Sequence, residues 1–428
     1  MHTDVIVIGG GISGLTTALE CVSKGYRCVV LERESYFGGR VHTIFGDHWK
    51  YEAGAGRIHK NHRRTISLLK KFGMTLIEHS HKKEFRDVYS TRNPSHKNPS
   101  STLLQKVFRA SSHSSKQMLQ QMTFGAFCMQ HLGETNTRLL IDSFGYNAEF
   151  EQMNAWDAIQ VFKGDFSSTS TYFGCKEGLG IWIERIRKYL ESSGMASLLT
   201  DFTAYQWKRG PRGTMIVHAK SKGVEYEMSC KVLVCAIPKA DLLKTFTWSN
   251  EQKSLLDSVH EVPLHRIYGQ FPTHNNTSWF QSLPRTTTNS TIRQFIPISP
   301  ENGLAMISYS DSQFADHWKE QVADHGDRAL RSSLLQQLHV VFPEIPKIPK
   351  PLWVRSHYWN HGVHVWKPGY DSKTVSAQLL QPFGKHVPMF VVGESYSMHQ
   401  GWIESGLETV DEAMPRIHSY LQKKWYKG

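Results

Sequence analysis

Three glycines near the N-terminus are spaced so that a phosphate group could bind beside them. Gly9, Gly11 and Gly14 form the pattern G-x-G-x-x-G, with Ile12 and Ser13 between the last two glycines. The first glycine allows a tight turn, the second lets a pyrophosphate approach the backbone, and the third lets a helix pack closely. Because backbone N–H groups at the start of a helix attract anions, this spacing is suited to holding a phosphate.

The segments around these glycines predict the elements that hold them. Residues 4–8 form a short β-branched run, residues 15–23 follow a helical pattern, and residues 27–32 form a second strand that ends at Glu32. This βαβ unit fixes a parallel sheet, and a carboxylate at the end of its second strand can accept both ribose hydroxyls. A chance glycine turn would lack this context, so we predict a dinucleotide site.

Small residues recur at later positions where backbone could pass close to a ligand. They are Gly38 and Gly39, then Gly54, Ala55 and Gly56, and finally Gly393. Arg40 follows the first group, and its guanidinium is suited to a phosphate. Residues 400–406 begin the last predicted helix, whose N-terminus would stabilise negative charge on a flat ring. Together these segments favour FAD over a nicotinamide dinucleotide.

The order of these four segments resembles the flavin-containing amine oxidase superfamily, which includes monoamine, polyamine and L-amino-acid oxidases. The likeness covers residues 1–78 and 176–428 well, and it covers residues from about 80 to 140 poorly. It implies FAD as the cofactor. It also implies an α/β fold in which a Rossmann-like FAD domain is interleaved with an α+β substrate domain on a mixed sheet.

Two interlocked domains are expected of a chain of 428 residues. The predicted FAD-binding domain comprises residues 1–78, 196–248 and 385–428, and the predicted substrate domain comprises residues 79–195 and 249–384. Residues from about 80 to 125 are polar and rich in Ser, His and Lys. They predict an exposed helical insert or a mobile loop.

The resemblance implies further cofactor contacts. Phe202 matches the place where relatives present backbone to the adenine, Glu394 matches the residue near the ribityl phosphate, and Ile403 matches the backbone donor to the pyrimidine edge. The family often has an arginine two residues after the ribose carboxylate, whereas this chain has Glu34. Covalent flavin attachment in some relatives uses a cysteine a few dozen residues before the last helix. No cysteine follows Cys235, so we expect non-covalent FAD.

Two residues are expected at a substrate carboxylate, because the local sequence around residues 54–63 is similar to that of L-amino-acid oxidases. In those enzymes an arginine at the position of Arg57 binds the carboxylate, which suits its fixed charge and its forked donors. The strand of Tyr309 is similar to the one that supplies a tyrosine to the same group. The alternatives are a structural ion pair or flavin contact for Arg57 and a core tyrosine for Tyr309.

Two more residues are expected beside the flavin ring. Trp402 falls where the family places an aromatic wall that orients a neutral amine toward N5; the alternative is a buried core tryptophan. Arg266 occupies the place of a lysine that holds a water at N5. Arginine can hold a water but does not readily lose a proton. An unrelated salt bridge is the alternative for Arg266.

Composition narrows the possible partners. The formal charge is +12, but the basic residues are spread along the chain and not grouped into a nucleic-acid-binding arm. No apolar run approaches the roughly 18 residues needed for a membrane span. The N-terminus lacks the features of a signal peptide, so we expect an intracellular, cytoplasmic location. The six cysteines show no metal-ligand spacing.

The expected reaction is hydride transfer from the carbon next to an amine to flavin N5, with a small amine or L-amino acid as substrate. Hydrolysis of the imine and reoxidation by oxygen would follow, with H2O2 as a product, although another electron acceptor is possible. Two alternatives stay open. One is a desaturase-like flavoenzyme that acts on a C–C bond, and the other is a weakly catalytic FAD-bearing scaffold whose insert at residues 80–125 binds partners.

Overall fold

The computed structural model describes residues 2–90, 97–166 and 170–422, with the side chains of residues 324–327 left out of the description. Its strands are β1 (His2–Ile8), β2 (Cys28–Leu31), β3 (Thr43–Phe45), β4 (Lys50–Glu52), β5 (Ile58–His59), β6 (Leu76–Glu78), β7 (Lys83–Arg86), β8 (Tyr172–Cys175), β9 (Ala196–Leu199), β10 (Thr203–Arg209), β11 (Met215–Ser221), β12 (Val224–Cys235), β13 (Val259–Gln270), β14 (Arg285–Thr288), β15 (Gln294–Ser299), β16 (Leu304–Asp311), β17 (Trp353–Trp366) and β18 (Met389–Val391).

The helices account for much of the remaining chain. They are α1 (Ile12–Ser23), α2 (Arg63–Lys71), α3 (Ser100–Ser111), α4 (Lys116–Gln120), α5 (Phe124–Phe144), α6 (Ala148–Glu151), α7 (Ala155–Asp165), α8 (Leu179–Ser192), α9 (Lys239–Thr245), α10 (Asn250–Leu256), α11 (Ser312–Val341), α12 (Ser372–Leu379) and α13 (Ile403–Gln422). None of those in the described part of the chain is both long and apolar enough to cross a membrane.

The first sheet is built around the N-terminal βαβ unit that the sequence predicts. Its strand order is β10-β11-β12-β1-β2-β9, and β18 pairs with the second half of β12. Strand β1 is parallel to both β12 and β2, so that Val7 is paired with Val234 on one side and Val30 on the other. These β-branched residues are fully buried, as expected for a sheet covered on both faces.

Helices α1, α8 and α13 contribute to one buried cluster beside this sheet. Leu15, Trp182 and Val410, one from each helix, are fully buried within it. Because α8 belongs to this cluster, it packs with the first sheet, although the predicted boundary at residue 195 assigns it to the substrate domain. The division into two domains stays a prediction.

The second sheet is mixed and supplies one side of the candidate site. Its order is β17-β13-β16-β15-β14-β7, with antiparallel pairs except for the parallel pair of β14 and β7. Long antiparallel pairing fixes the register of β13 and β16, which places Arg266 opposite Tyr309. A mixed α/β fold was predicted, and this prediction is confirmed.

The predicted insert is helical only from Ser100 onward, since its residues 83–86 form β7 of the second sheet, and it is not wholly exposed. Its helices α3 and α4 bury Leu103, Leu104, Val107 and Leu119 against the large cluster that also contains α5 and α7. The overall polar composition of residues 80–125 did not indicate that α3 and α4 each have a narrow apolar face. Residues 91–96, which belong to the predicted insert, lie outside the described residues.

Candidate functional site

The first glycine turn has room for a ligand at one glycine and none at the other two. A Cβ added to Gly14 would lie 1.9 Å from the carbonyl oxygen of Gly9, and a Cβ on Gly9 would lie 2.4 Å from the Ala236 oxygen. At Gly11 the nearest atom to an added Cβ is the oxygen of Gly38, at 3.9 Å. The turn is therefore tight at Gly9, close-packed at Gly14 and open at Gly11.

The start of α1 presents backbone donors to this open space. Gly11 is the N-cap of α1, and no side chain caps its first turn. Ser13 is buried beneath α13, since a Cβ added to Gly406 would lie 2.5 Å from the Ser13 Oγ. Ile12 is buried as well. Uncapped N–H groups at a helix N-terminus suit a pyrophosphate.

Glu32 lies at the end of β2, where a ribose carboxylate was predicted. Its two carboxylate oxygens accept N–H bonds from Gly10 at 2.7 Å and from Glu34 at 2.9 Å. Each oxygen therefore keeps a lone pair for a hydroxyl group. Burial raises the pKa of Glu32 above its ordinary value despite these donors. The Phe202 N–H donates to the Glu32 carbonyl oxygen at 2.8 Å, so the two predicted adenosine contacts are neighbours.

Glu32→Ala should weaken FAD binding, because it removes a charged acceptor for two hydroxyl groups. We expect a loss of about 1.5–3 kcal/mol, which corresponds to roughly 10- to 150-fold in the dissociation constant. Titration of apoprotein with FAD measures it. The matched control is Glu34→Ala, since the Glu34 carboxylate is half exposed and pairs with the exposed Arg33. Equal FAD affinity in the two variants would remove Glu32 from the ribose site.

Arg40, Glu394 and His364 form a buried polar centre between the two sheets. Glu394 Oε2 accepts from Arg40 Nη1 and from His364 Nδ1, both at 2.8 Å. Its Oε1 accepts from the backbone N–H groups of His364 and Gly401, both at 2.9 Å. Burial opposes the charge of Glu394, but His364 and Arg40 hold the pKa of this carboxyl far below its usual range. Glu394 thus ties β17 to the turn before α13.

Gly38, Gly39 and Gly393 all adopt the left-handed backbone conformation that favours glycine, with φ of 114°, 55° and 124°. Gly38 forms a β-bridge with Gly11, so the second glycine turn lies directly against the first. Gly54 is also crowded, since an added Cβ would lie 1.9 Å from the Arg40 oxygen. The glycine segments are therefore adjacent in space, which fits one extended cofactor that passes all of them.

The segments meet at one cavity, which contains every predicted substrate residue. The predicted residues that line it are Ala55, Gly56, Arg57, Arg266, Tyr309, Trp402 and Ile403. Residues that the sequence did not indicate also line it, among them Tyr146, Glu149, Met153, Phe166 and Asp311.

Arg57 lies in this cavity without an acidic partner. Its Nη2 donates to the Tyr146 hydroxyl at 2.7 Å, and its guanidinium lies 5.4 Å from the ring centre of Tyr172 and 5.9 Å from that of Trp402. Within the described part of the chain, no carboxylate lies within ion-pair distance of Arg57. A structural ion pair therefore does not explain this arginine.

Arg266 contacts backbone and a tyrosine. Its Nη1 donates to the carbonyl oxygens of Gly54 and Glu52, the latter at 3.1 Å, and its Nη2 donates to the Tyr309 hydroxyl at 3.2 Å. None of the described carboxylates forms a salt bridge with it. These bonds connect β13 to residues 52–54 and place Arg266 and Tyr309 side by side. The role of Arg266 at flavin N5 stays a prediction.

Trp402 lies at the start of α13 among aromatic rings. The Tyr172 ring is nearly parallel to it, at 17° and 6.2 Å between centres, and the His62 ring meets it edge-on at 4.9 Å. Trp402 is partly exposed toward the cavity. A tryptophan buried in the core would have no such free face, so this position is suited to a wall of the site.

His59, His62 and Asp165 lie behind this wall, close enough to be considered as metal ligands. Each histidine Nδ1 accepts a backbone N–H, from Asn61 for His59 and from His59 for His62. Burial lowers the pKa of His62 to about 3, so its ring is neutral and carries its proton on Nε2, toward Asp165. Both Nδ1 atoms are therefore engaged by the backbone, whereas His59 Nε2 has no hydrogen-bond partner among the described residues. The group packs against Trp402 through the ring of His62.

Two sequence relatives of the chain are named amino-acid oxidases. It is 21% identical to an L-amino-acid oxidase of Mus musculus, over 97% of this chain and 70% of that protein. It is 39% identical to the flavin-dependent L-tryptophan oxidase RebO of Lentzea aerocolonigenes over a shorter region, 21% of this chain and 19% of that one.

A solved structure of a putrescine oxidase with redesigned cofactor binding has the same fold, with a TM-score of 0.78 and 14% identity over 98% of this chain and 99% of that one. The family model described as flavin containing amine oxidoreductase matches residues 12–414. The open glycine turn, the Glu32 carboxylate and the cavity beyond them fit FAD. The chain is therefore an FAD-dependent oxidoreductase that belongs to the family of flavin-containing amine oxidoreductases.

Proposed function

We propose that this enzyme oxidises the C–N bond of an L-amino acid and that Arg57 binds the substrate carboxylate. The observation that carries the proposal is the position of Arg57 in the cavity without an acidic partner. FAD, when bound, would supply the acceptor for a hydride from the carbon next to the amine nitrogen. The resulting imine adds water to release ammonia and an oxo acid, and oxygen takes up the two electrons as H2O2.

The surroundings of Arg57 support a carboxylate ligand. A partly buried guanidinium is stabilised by a compensating charge or several acceptors, and the Tyr146 hydroxyl supplies a single neutral acceptor at 2.7 Å. Arginine has a forked set of donors that matches a carboxylate in a bidentate pair. Tyr309 lies beside this position, with its ring centre 5.3 Å from that of Tyr146, and its hydroxyl is available as a further donor.

The other cavity residues have positioning roles in the proposal. Trp402 provides a flat aromatic surface for the substrate amine. Arg266 places a permanent positive charge next to residues 52–54. Such a charge stabilises negative charge that develops nearby in a site with little water. Since the sequence has no cysteine after Cys235, we propose that FAD is held non-covalently. Two relatives named above are amino-acid oxidases, which agrees with this reading.

The test compares L-norleucine with pentylamine, which differs from it only in lacking the carboxylate. Norleucine should reduce the flavin about 100-fold faster under anaerobic conditions, since two charge-assisted hydrogen bonds contribute about 3 kcal/mol. Arg57→Met should reduce that ratio to near one while FAD stays bound. Stopped-flow loss of flavin absorbance measures both.

The matched control is Arg63→Met, which removes an exposed arginine close by in the sequence. A wild-type enzyme that uses pentylamine as well as norleucine would contradict the carboxylate site and favour a simple amine oxidase. Flavin that is reduced by no amine or amino acid would favour the desaturase-like or scaffold alternative.

A further inference from the structure

One acidic side chain in the cavity is left without a partner. Glu149 lies on the short helix α6 and lines the same cavity as Arg57 and Trp402. Its Oε2 is buried and has no hydrogen-bond partner among the described residues. Leaving a buried polar atom unsatisfied costs about 1–3 kcal/mol, and more for a charged group. Among the described residues, no hydrogen-bond donor reaches Glu149 Oε2.

A second carboxyl group lies at the same end of the cavity. Asp311 also lines the cavity, and its oxygens accept from the backbone N–H of Asn147 at 2.9 and 3.0 Å and of Ala148 at 2.8 Å. These donors belong to the same short stretch as Glu149. Burial, followed by the charge of Asp311, raises the pKa of Glu149 to about 8. A cation at this position would supply the missing donor and would favour the ionised form of the Glu149 carboxyl.

Apolar side chains line the same cavity as the two charged residues. Met153, Val161 and Phe166 line the cavity with Glu149, whereas Arg57 provides a cation without an acidic partner in the same space. A ligand that satisfies all of these features has a carboxylate, a methylene chain and a second, protonated amine. Arg57 itself does not satisfy Glu149, since Glu149 Oε2 has no hydrogen-bond partner among the described residues.

We propose that Glu149, with Asp311 behind it, binds the terminal cationic amine of the substrate, so that the enzyme prefers amino acids with a basic side chain. The inference rests on the proposed function for its carboxylate, and the amine position has its own evidence in Glu149. It assigns Glu149 to substrate specificity and leaves the hydride-transfer step unchanged.

Four substrates separate the two sites. L-Lysine and L-norleucine have a carboxylate, and cadaverine and pentylamine are their decarboxylated counterparts; lysine and cadaverine alone have the second amine. We expect kcat/KM for anaerobic flavin reduction to be at least tenfold higher for lysine than for norleucine. In Glu149→Gln this ratio should fall at least fivefold, mainly through KM for lysine.

The control is Glu151→Gln, which removes an exposed carboxylate from the same helix. We expect it to keep the wild-type ratio of lysine to norleucine. Flavin absorbance and thermal unfolding report whether each variant is folded, and the wild-type ratio tests the proposal even if Glu149→Gln does not fold.

Failure of this proposal is distinguishable from failure of the proposed function. If wild type shows no preference for lysine over norleucine, or if Glu149→Gln slows both equally, the amine site at Glu149 is wrong. If cadaverine is oxidised as well as lysine while Glu149→Gln removes the preference for the second amine, the carboxylate site at Arg57 is wrong and the amine site is supported.

Discussion

Replacing Gly14 with alanine should abolish FAD binding and destabilise the protein. The added Cβ would lie 1.9 Å from the Gly9 carbonyl oxygen, which is backbone and cannot rotate away. Gly9 is also held on its other side, because its N–H donates to Leu31 at 2.8 Å. Helix α1 would have to move off the sheet, and overpacking of this kind costs about 1–3 kcal/mol. The phosphate donors at the start of α1 would move with it.

The ratio of flavin to protein after purification, together with thermal unfolding, checks this expectation. The matched control is Gly164→Ala, a second glycine within a helix, where an added Cβ meets nothing within 4 Å. This control should retain FAD and gain up to about 1 kcal/mol from helix propensity. Normal FAD content in Gly14→Ala would mean that α1 does not pack on the turn as described.

Glu394→Gln should destabilise the folded protein by about 3 kcal/mol, because it removes one partner of a buried charge network. Arg40 and His364 both donate to the carboxylate oxygen Oε2, at 2.8 Å. A neutral amide at this position would leave Arg40 with only backbone carbonyl oxygens as partners and His364 with only Glu261, whose Oε1 lies 3.4 Å from its Nε2. Chemical denaturation measures the loss. The control is Glu227→Gln, whose half-exposed pair with Lys208 should contribute less than about 1 kcal/mol.

The same network predicts how the difference between wild type and Glu394→Gln depends on pH. The pKa of Glu394 is lowered in the folded protein. Its contribution to folding stability is therefore fully present above the unfolded-state pKa of about 4.3 and is lost as pH falls through the folded-state pKa. Burial alone would lower the pKa of His364. The neighbouring Glu394 outweighs this effect, so the pKa lies above its ordinary value. The contribution of His364 to folding stability is therefore fully present below its unfolded-state pKa of about 6.5 and is lost as pH rises through its folded-state pKa. The difference should therefore be largest between about pH 4.3 and 6.5.

The dinucleotide fold could be predicted because its signals are local. Gly9, Gly11 and Gly14 lie within six residues, and the turn, the helix start and the close packing each need glycine at a fixed offset. The predicted strands and helices around them are present in the structure with boundaries that differ by a few residues. The mixed second sheet was predicted from the family resemblance and not from any local pattern.

The substrate cavity could be predicted only in part. Arg57, Tyr309 and Trp402 stand in segments that resemble the family, and the structure brings all three to one cavity. Glu149 and Tyr146 come from the helical region just beyond the stretch where the resemblance is weakest, and nothing in their spacing indicates a site. Their importance depends on burial and on missing partners, which appear only when distant segments are packed together.

The order of strands in the first sheet also determines when the protein can acquire its cofactor. Strand β1 is paired with β12, β12 is paired with β18, and α1 packs against α13, so the first and last segments of the chain meet at the glycine turn. A ribosome that adds about 5–20 residues per second reaches α13 roughly 20–80 seconds after it makes the glycines. During that time the nascent N-terminal segment has an exposed βαβ unit but no completed flavin cavity. We therefore expect FAD to bind after synthesis of the chain, at the point where the last helix docks.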